Sequence, residues 1–255
     1  MEINLVQGLL LCLLAFIAGL DYLMEAFFIF RPIIIATLTG LVLGDLETGI
    51  IAGGLTELAF AGLTPAGGAE PPDPISAGIM CAVIAITTNV TPTVALGLAL
   101  PFSFLMQNIN VFVYSAFAIF MVKLDDMARV GKAKAIKNLN ISTLVLSALV
   151  YAVIIFLCTY VAQEPMAALV EMFPERLLNG LNVAGGILPA IGFGMLLVIL
   201  LKKEFFGFLI LGFVMASFIP FGNILPVALI GGAIALIDYY KKEDKVEGGS
   251  KNVGI

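Results

Sequence analysis

The sequence predicts an all-α polytopic membrane protein with about six to nine membrane segments, some of them re-entrant or discontinuous. Three observations carry this. Of 255 residues, 61% are hydrophobic and 12% charged, and mean hydropathy is +1.10. Apolar runs recur from one end of the chain to the other, most near the length that crosses a bilayer, about 20 residues per helix. Several are shorter and bounded by Gly and Pro, as in half-helices that end inside a membrane.

The runs lie near 3–20, 26–44, 49–63, 75–91, 93–122, 141–162, 181–201, 205–220 and 224–240. The first lacks a charged leader and a small-residue cleavage site, so it reads as a retained segment rather than a signal peptide. Gly40 with Gly44, and Gly49 with Gly53, form two GxxxG pairs that let membrane helices approach closely. Gly44-Asp-Leu-Glu-Thr-Gly49 reads as a turn between two segments. Gly53 stands one turn before Glu57, so the tightly packed face also carries an acid. Helical spacing of apolar residues from Met166 to Leu178, with Glu171, Glu175 and Arg176 between them, predicts an amphipathic helix in an outer loop. Ile187-Leu-Pro189 and Ile224-Leu-Pro226 mark two expected helix breaks. The membrane domain is read as 1–240, and the polar, Gly-rich 241–255 as a disordered tail.

The stretch Leu55 to Pro74 is the one around which function is organised. Glu57, Glu70 and Asp73 sit there in strongly apolar sequence, and no Lys or Arg occurs between Arg31 and Lys123. A carboxylate at membrane depth costs several kcal/mol, and such groups usually face a protein interior or a wet cavity on a solute path. The Gly/Pro-rich run after Thr64 is not a regular helix, and irregular backbone at that depth needs protein or water around it. Broken backbone with unpaired acids therefore points to a solute site. Gln107-Asn-Ile-Asn110, with Asn179 and Asn182, adds amides. Carboxylates and amides beside apolar surface suit a sugar, whose hydroxyls both donate and accept. The candidate substrate-binding residues are Glu57, Glu70, Asp73, Gln107, Asn108 and Asn182. For Gln107, an inter-helix hydrogen bond is an equally good account.

Basic residues fall in three clusters: Lys123 with Arg129, Lys132, Lys134 and Lys137; Lys202 with Lys203; and Lys241, Lys242, Lys245 and Lys251. Lys and Arg in short loops stay on the cytoplasmic side. The alternation of segments puts all three clusters, and the C-terminus, there. A net charge of −5 with basic residues confined to these clusters speaks against nucleic acid.

The chain has no His, which removes the commonest general base, metal ligand and phosphoryl carrier. Cys12, Cys81 and Cys158 lie in apolar runs without metal-type spacing and read as small hydrophobes. No cofactor, metal site or catalytic residue is expected.

These residues resemble a known family. Met1-Glu-Ile, Arg31-Pro32, Gly40-Leu-Val-Leu-Gly-Asp45, Thr48-Gly-Ile-Ile-Ala-Gly-Gly-Leu-Thr-Glu-Leu58 and Gly180-Leu-Asn-Val-Ala-Gly-Gly-Ile-Leu-Pro-Ala-Ile-Gly-Phe193 are similar, in order and spacing, to the IIC membrane subunit of the mannose-type (mannose/fructose/sorbose) phosphotransferase system. Gly68-Ala-Glu-Pro-Pro-Asp73, Ile86-Thr-Thr and Ala235-Leu-Ile-Asp238 look closer to its N-acetylgalactosamine and galactosamine branch. The resemblance implies a sugar translocator in the bacterial cytoplasmic membrane. It would work in a higher oligomer with a second membrane subunit, IID, and pass sugar to cytoplasmic IIA and IIB subunits for phosphorylation. It points to Glu57 and Asp73, with Gln107, as sugar-site residues at the IID interface, and gives Glu70 to specificity. An ion- or proton-coupled secondary transporter remains the competing reading of the buried acids, and a non-transporting receptor or assembly subunit is a third.

Overall fold

The computed structural model describes residues 2–63, 71–220 and 223–250. Every α-helix or other regular element among them is helical: α1 Leu5–Met24, α2 Pro32–Leu43, α3 Leu46–Phe60, α4 Pro74–Thr88, α5 Pro92–Arg129, α6 Ala133–Phe156, α7 Gln163–Glu171, α8 Glu175–Leu200, α9 Phe206–Phe218 and α10 Leu225–Ser250. A π-helical turn, Leu157–Val161, extends α6, and a 3-10 turn, Lys203–Phe205, precedes α9. Among the described residues, four helical stretches are long and apolar enough to cross a membrane: α1, α5, α6 with its π turn, and α8. With shorter apolar helices between them, the predicted all-α membrane architecture is the one observed.

Local chemistry sets the boundaries. Asn4 and Gln7 cap α1 reciprocally, and Asp45 caps α3 through the Thr48 N–H. At Arg31-Pro32, Asp73-Pro74 and Thr91-Pro92 a proline opens the helix, where its missing N–H costs nothing. Gly44, at φ 86°, ends α2 in the left-handed conformation and turns the chain into α3.

The chain divides into two compact units, Met1–Val198 and Ile199–Ile255. In the first, α1 packs on α6, α2 folds back on α3, and α4 lies among α2, α3 and α5. Every residue of α4 from Ile75 to Ile86 is buried. At about 22 Å, α4 is too short to span the hydrocarbon core, so it is a helix enclosed by protein. In the second unit α9 packs on α10, with an apolar cavity of about 450 Å³ beside them that Asp238 also lines.

Several boundaries differ from the sequence reading. The apolar run 93–122 belongs to a helix of 38 residues, roughly 57 Å long. It continues through Lys123-Leu-Asp-Asp-Met-Ala-Arg129, because Lys, Leu, Met, Ala and Arg are sound helix formers whatever their polarity and outweigh the two Asp. The first basic cluster is therefore the tip of an α5–α6 helical hairpin turning at Gly131 (φ 72°), not an extended loop. Helix α8 runs unbroken through Pro189, whereas the chain does break before Pro226, which sits at the start of α10. The expected 166–178 helix is divided at Pro174, since the residue before proline disfavours helical backbone. Helix α10 carries on past Tyr240 to Ser250.

Candidate functional site

The hairpin of α2 and α3 is held at backbone contact by its glycines. A Cβ on Gly40 would lie 2.8 Å from the Gly49 Cα and 2.6 Å from the Asp45 carbonyl oxygen, and one on Gly53 would lie 3.0 Å from the Ile33 Cα. This close approach brings Arg31, the N-cap of α2, beside Glu57 near the end of α3. One Arg31 guanidinium nitrogen donates to Glu57 Oε1, and the Ile33 N–H donates to Oε2 at 3.3 Å. Glu57 thus pairs with a cation and satisfies an orphan amide in the first turn of α2. The expectation of an unpaired acid is corrected here: the partner lies 26 residues away and the hairpin supplies it. Both side chains keep exposure, 43% for Arg31 and 19% for Glu57.

Asp73 is built differently. It is 2% exposed and caps α4. Its Oδ1 accepts from the Ser76 N–H (2.7 Å) and hydroxyl (2.6 Å), and its Oδ2 from the Tyr151 hydroxyl (2.6 Å). Ser103 of α5 receives the Asp73 N–H at 3.2 Å and donates its hydroxyl to the Asp73 carbonyl oxygen at 2.7 Å. Asn110 Nδ2 donates to the Tyr151 oxygen at 2.7 Å, which leaves the phenol proton directed at Asp73. Helices α4, α5 and α6 therefore meet in one buried polar network, with Gly19 of α1 against the Tyr151 ring.

A second buried acid, Asp21, organises the approach to Arg31. Its carboxylate accepts from the Phe27 N–H (2.8 Å) and the Ile29 N–H (2.5 Å), and so fixes the connection in which Glu25 and Phe28 have positive φ.

Of the other predicted residues, Gln107 is half-buried on α5, one turn after Ser103 and on its face. Asn108 is exposed and donates to the Phe104 carbonyl at 2.7 Å. Asn182 is exposed on α8, beside Leu181, which packs on Gly97 of α5. Glu70 lies outside the described residues. Sequence reasoning missed Arg31 as a partner, Tyr151 and Ser103 as ligands of Asp73, and Asp21. Only Asp21 left a usable signal, an acid in an apolar run with no neighbouring base.

Residues 5–237 match the family described as the PTS system sorbose-specific IIC component. The chain is 52% identical over 244 residues to the N-acetylgalactosamine permease IIC component 1 of Escherichia coli K12, covering 96% of this chain and 91% of that protein. One solved structure, described as a membrane protein, superposes with a TM-score of 0.85 at 30% identity, over 94% of this chain and 97% of that one. Another, the mannose transporter ManYZ in complex with microcin E492, superposes with a TM-score of 0.60 at 31% identity and the same coverage.

Proposed function

Because the chain belongs to the sorbose-type IIC family and is thereby a multi-pass membrane subunit of a sugar phosphotransferase system, we propose that it binds and translocates N-acetylgalactosamine or galactosamine for phosphorylation by partner subunits. The observation that carries the sugar is the near-full-length identity to an N-acetylgalactosamine permease component.

The Arg31–Glu57 pair is the proposed centre of the sugar site. A carboxylate has about four acceptor sites and a guanidinium five donors; with two contacts used on the acid, both groups retain capacity for hydroxyls. Such a pair offers a sugar both kinds of partner from one fixed geometry. Gln107, Asn108 and Asn182 add amides to the proposed sugar site, Glu70 tunes which sugar is accepted, and Asp73 serves the site from the buried network of α4, α5 and α6, its carboxylate already taken by Ser76 and Tyr151.

Phosphoryl transfer belongs to cytoplasmic IIA and IIB subunits, since this chain has no His to carry the group. They dock at the basic α5–α6 hairpin tip, which places that tip and the C-terminus on the cytoplasmic side of a bacterial cell membrane. The assembly is a higher oligomer.

Partner dependence tests the reading. Cells carrying this chain with its partner subunits are expected to accumulate phosphorylated sugar, and vesicles holding the purified chain alone under an ion gradient are expected to accumulate none. Gradient-driven accumulation of unmodified sugar in those vesicles would overturn the proposal in favour of secondary transport.

A further inference from the structure

Polar residues recur on α5 at Ser103, Gln107, Asn110 and Tyr114, and on α6 at Asn140, Thr143, Ser147 and Tyr151. Steps of three and four place each set along one helix face. The two helices are antiparallel through the turn at Gly131, and the Asn110–Tyr151 hydrogen bond fixes their register. One turn nearer the hairpin tip, that register sets Tyr114 opposite Ser147. Both line a cavity of about 690 Å³ bounded by α1, α5 and α6, with Asn140 and Thr143 further along its wall. This volume lies within the roughly 300–1,000 Å³ of small-molecule sites.

Ser147 is the second, independent observation. Hydroxyls on these apolar helices return a bond to the preceding turn: Thr39 to Ile35, Thr56 to Ala52, Thr87 to Val83 and Thr159 to Ile155. Ser147 is 4% exposed, and among the described residues its Oγ is the buried side-chain polar atom with no partner. A buried hydroxyl without a partner costs about 1–3 kcal/mol, so a rotation of the Ser147 side chain that turns its enclosed Oγ toward the cavity and a ligand hydroxyl would relieve a standing penalty.

We infer that the facing polar stripes of α5 and α6 form a track from Asp73 toward the basic hairpin, and that the cavity at Ser147 is a second subsite for a hexose-sized polyol. From Asn110 toward the tip exposure rises: Asn110, Tyr151 and Ser147 are buried, Tyr114 and Thr143 half-buried, and Asn140 exposed beside the Lys137 turn, while at the Asp73 end Ser103 is buried and Gln107 half-buried. Tyr114 and Phe117 supply aromatic surface for the C–H face of a sugar ring. A sugar released from the first site would wait there, next to the tip where phosphorylating subunits dock. This rests on the sugar-transport reading above and adds an exit subsite to it.

The test is the rate of N-acetylgalactosamine phosphate formation by cells carrying the chain with its partner subunits. Ser147→Leu fills the cavity and is expected to lower the maximal rate about tenfold, the factor that corresponds to about 1.4 kcal/mol, with the half-saturating concentration unchanged. Ser147→Ala removes the unpartnered hydroxyl and is expected to lower the rate severalfold while thermal stability holds or rises, a combination that a purely structural role would not produce. In a Ser147→Cys chain, thiol labelling above the wild-type background is expected to be slowed by N-acetylgalactosamine. Wild-type rates in both Ser147→Leu and Ser147→Ala would overturn the inference alone. So would a raised half-saturating concentration at unchanged maximal rate, or a Ser147→Ala chain both slower and less stable. Absence of phosphorylated product from wild-type cells would remove the transport reading and this inference together.

Discussion

Glu57 and Asp73 are both carboxylates in apolar surroundings, and the protein accommodates them in opposite ways. Glu57 has a full cation, Arg31, and stays partly exposed. Asp73 is enclosed and held by hydroxyl and amide donors alone: Ser76, Tyr151 and, through its backbone, Ser103. The carboxylate bonds of Asp73 are spent on joining α4 to α6 and on capping α4. Those of Glu57 leave acceptor capacity facing outward. Burial alone thus does not mark a solute ligand. On the proposed reading, Glu57, with exposure and capacity to spare, is the sugar ligand, and Asp73 belongs to the framework that joins α4, α5 and α6.

The comparison breaks most sharply at Asp73. Asp73→Ala strands the Tyr151 hydroxyl and the Ser76 N–H and hydroxyl in a buried site, and three lost hydrogen bonds to the carboxylate amount to about 3 kcal/mol or more. A marked fall in folded protein is expected, read as membrane abundance and as melting temperature in detergent. A stable, abundant Asp73→Ala chain would show that the network is dispensable. A smaller loss is expected at the hairpin that aligns Arg31 with Glu57. Gly49→Ala places a Cβ 2.8 Å from both the Ala36 carbonyl oxygen and the Gly40 Cα, so α2 and α3 must separate. About 1–3 kcal/mol is expected from such overpacking, with sugar uptake falling further than stability because the ion pair is displaced with the helices. Equal melting temperatures for Gly49→Ala and wild type would mean that the hairpin is looser than its geometry. The smallest effect on stability belongs to Glu57, since a half-exposed ion pair contributes only about 0–1 kcal/mol.

Much of the fold was legible because hydropathy reports residence in a bilayer and helix ends carry local chemistry. Gly44-Asp45 announced the turn between α2 and α3, and Gly53 one turn before Glu57 placed packing and acid on one face, as the Ile33 contacts of both residues bear out. Hydropathy measures apolarity and not helicity, so it stopped α5 at 122 where the backbone runs to Arg129. Proline in sequence is equally ambiguous: Pro189 lies inside a continuous helix and Pro226 at the start of one. The partners in the site were hidden for a different reason. Arg31 reaches Glu57 across 26 residues and Tyr151 reaches Asp73 across 78, and no periodicity encodes which helix faces meet.

The division between a working carboxylate and a structural one is tested most directly by Glu57→Gln, compared with wild type at matched membrane abundance. The amide keeps the shape of the side chain but loses its charge and half its acceptor capacity. Formation of phosphorylated N-acetylgalactosamine by cells supplied with the partner subunits is expected to be abolished or severely reduced, while the chain remains folded in the membrane. Wild-type uptake by a well-expressed Glu57→Gln chain would contradict the account and remove Glu57 from the sugar site.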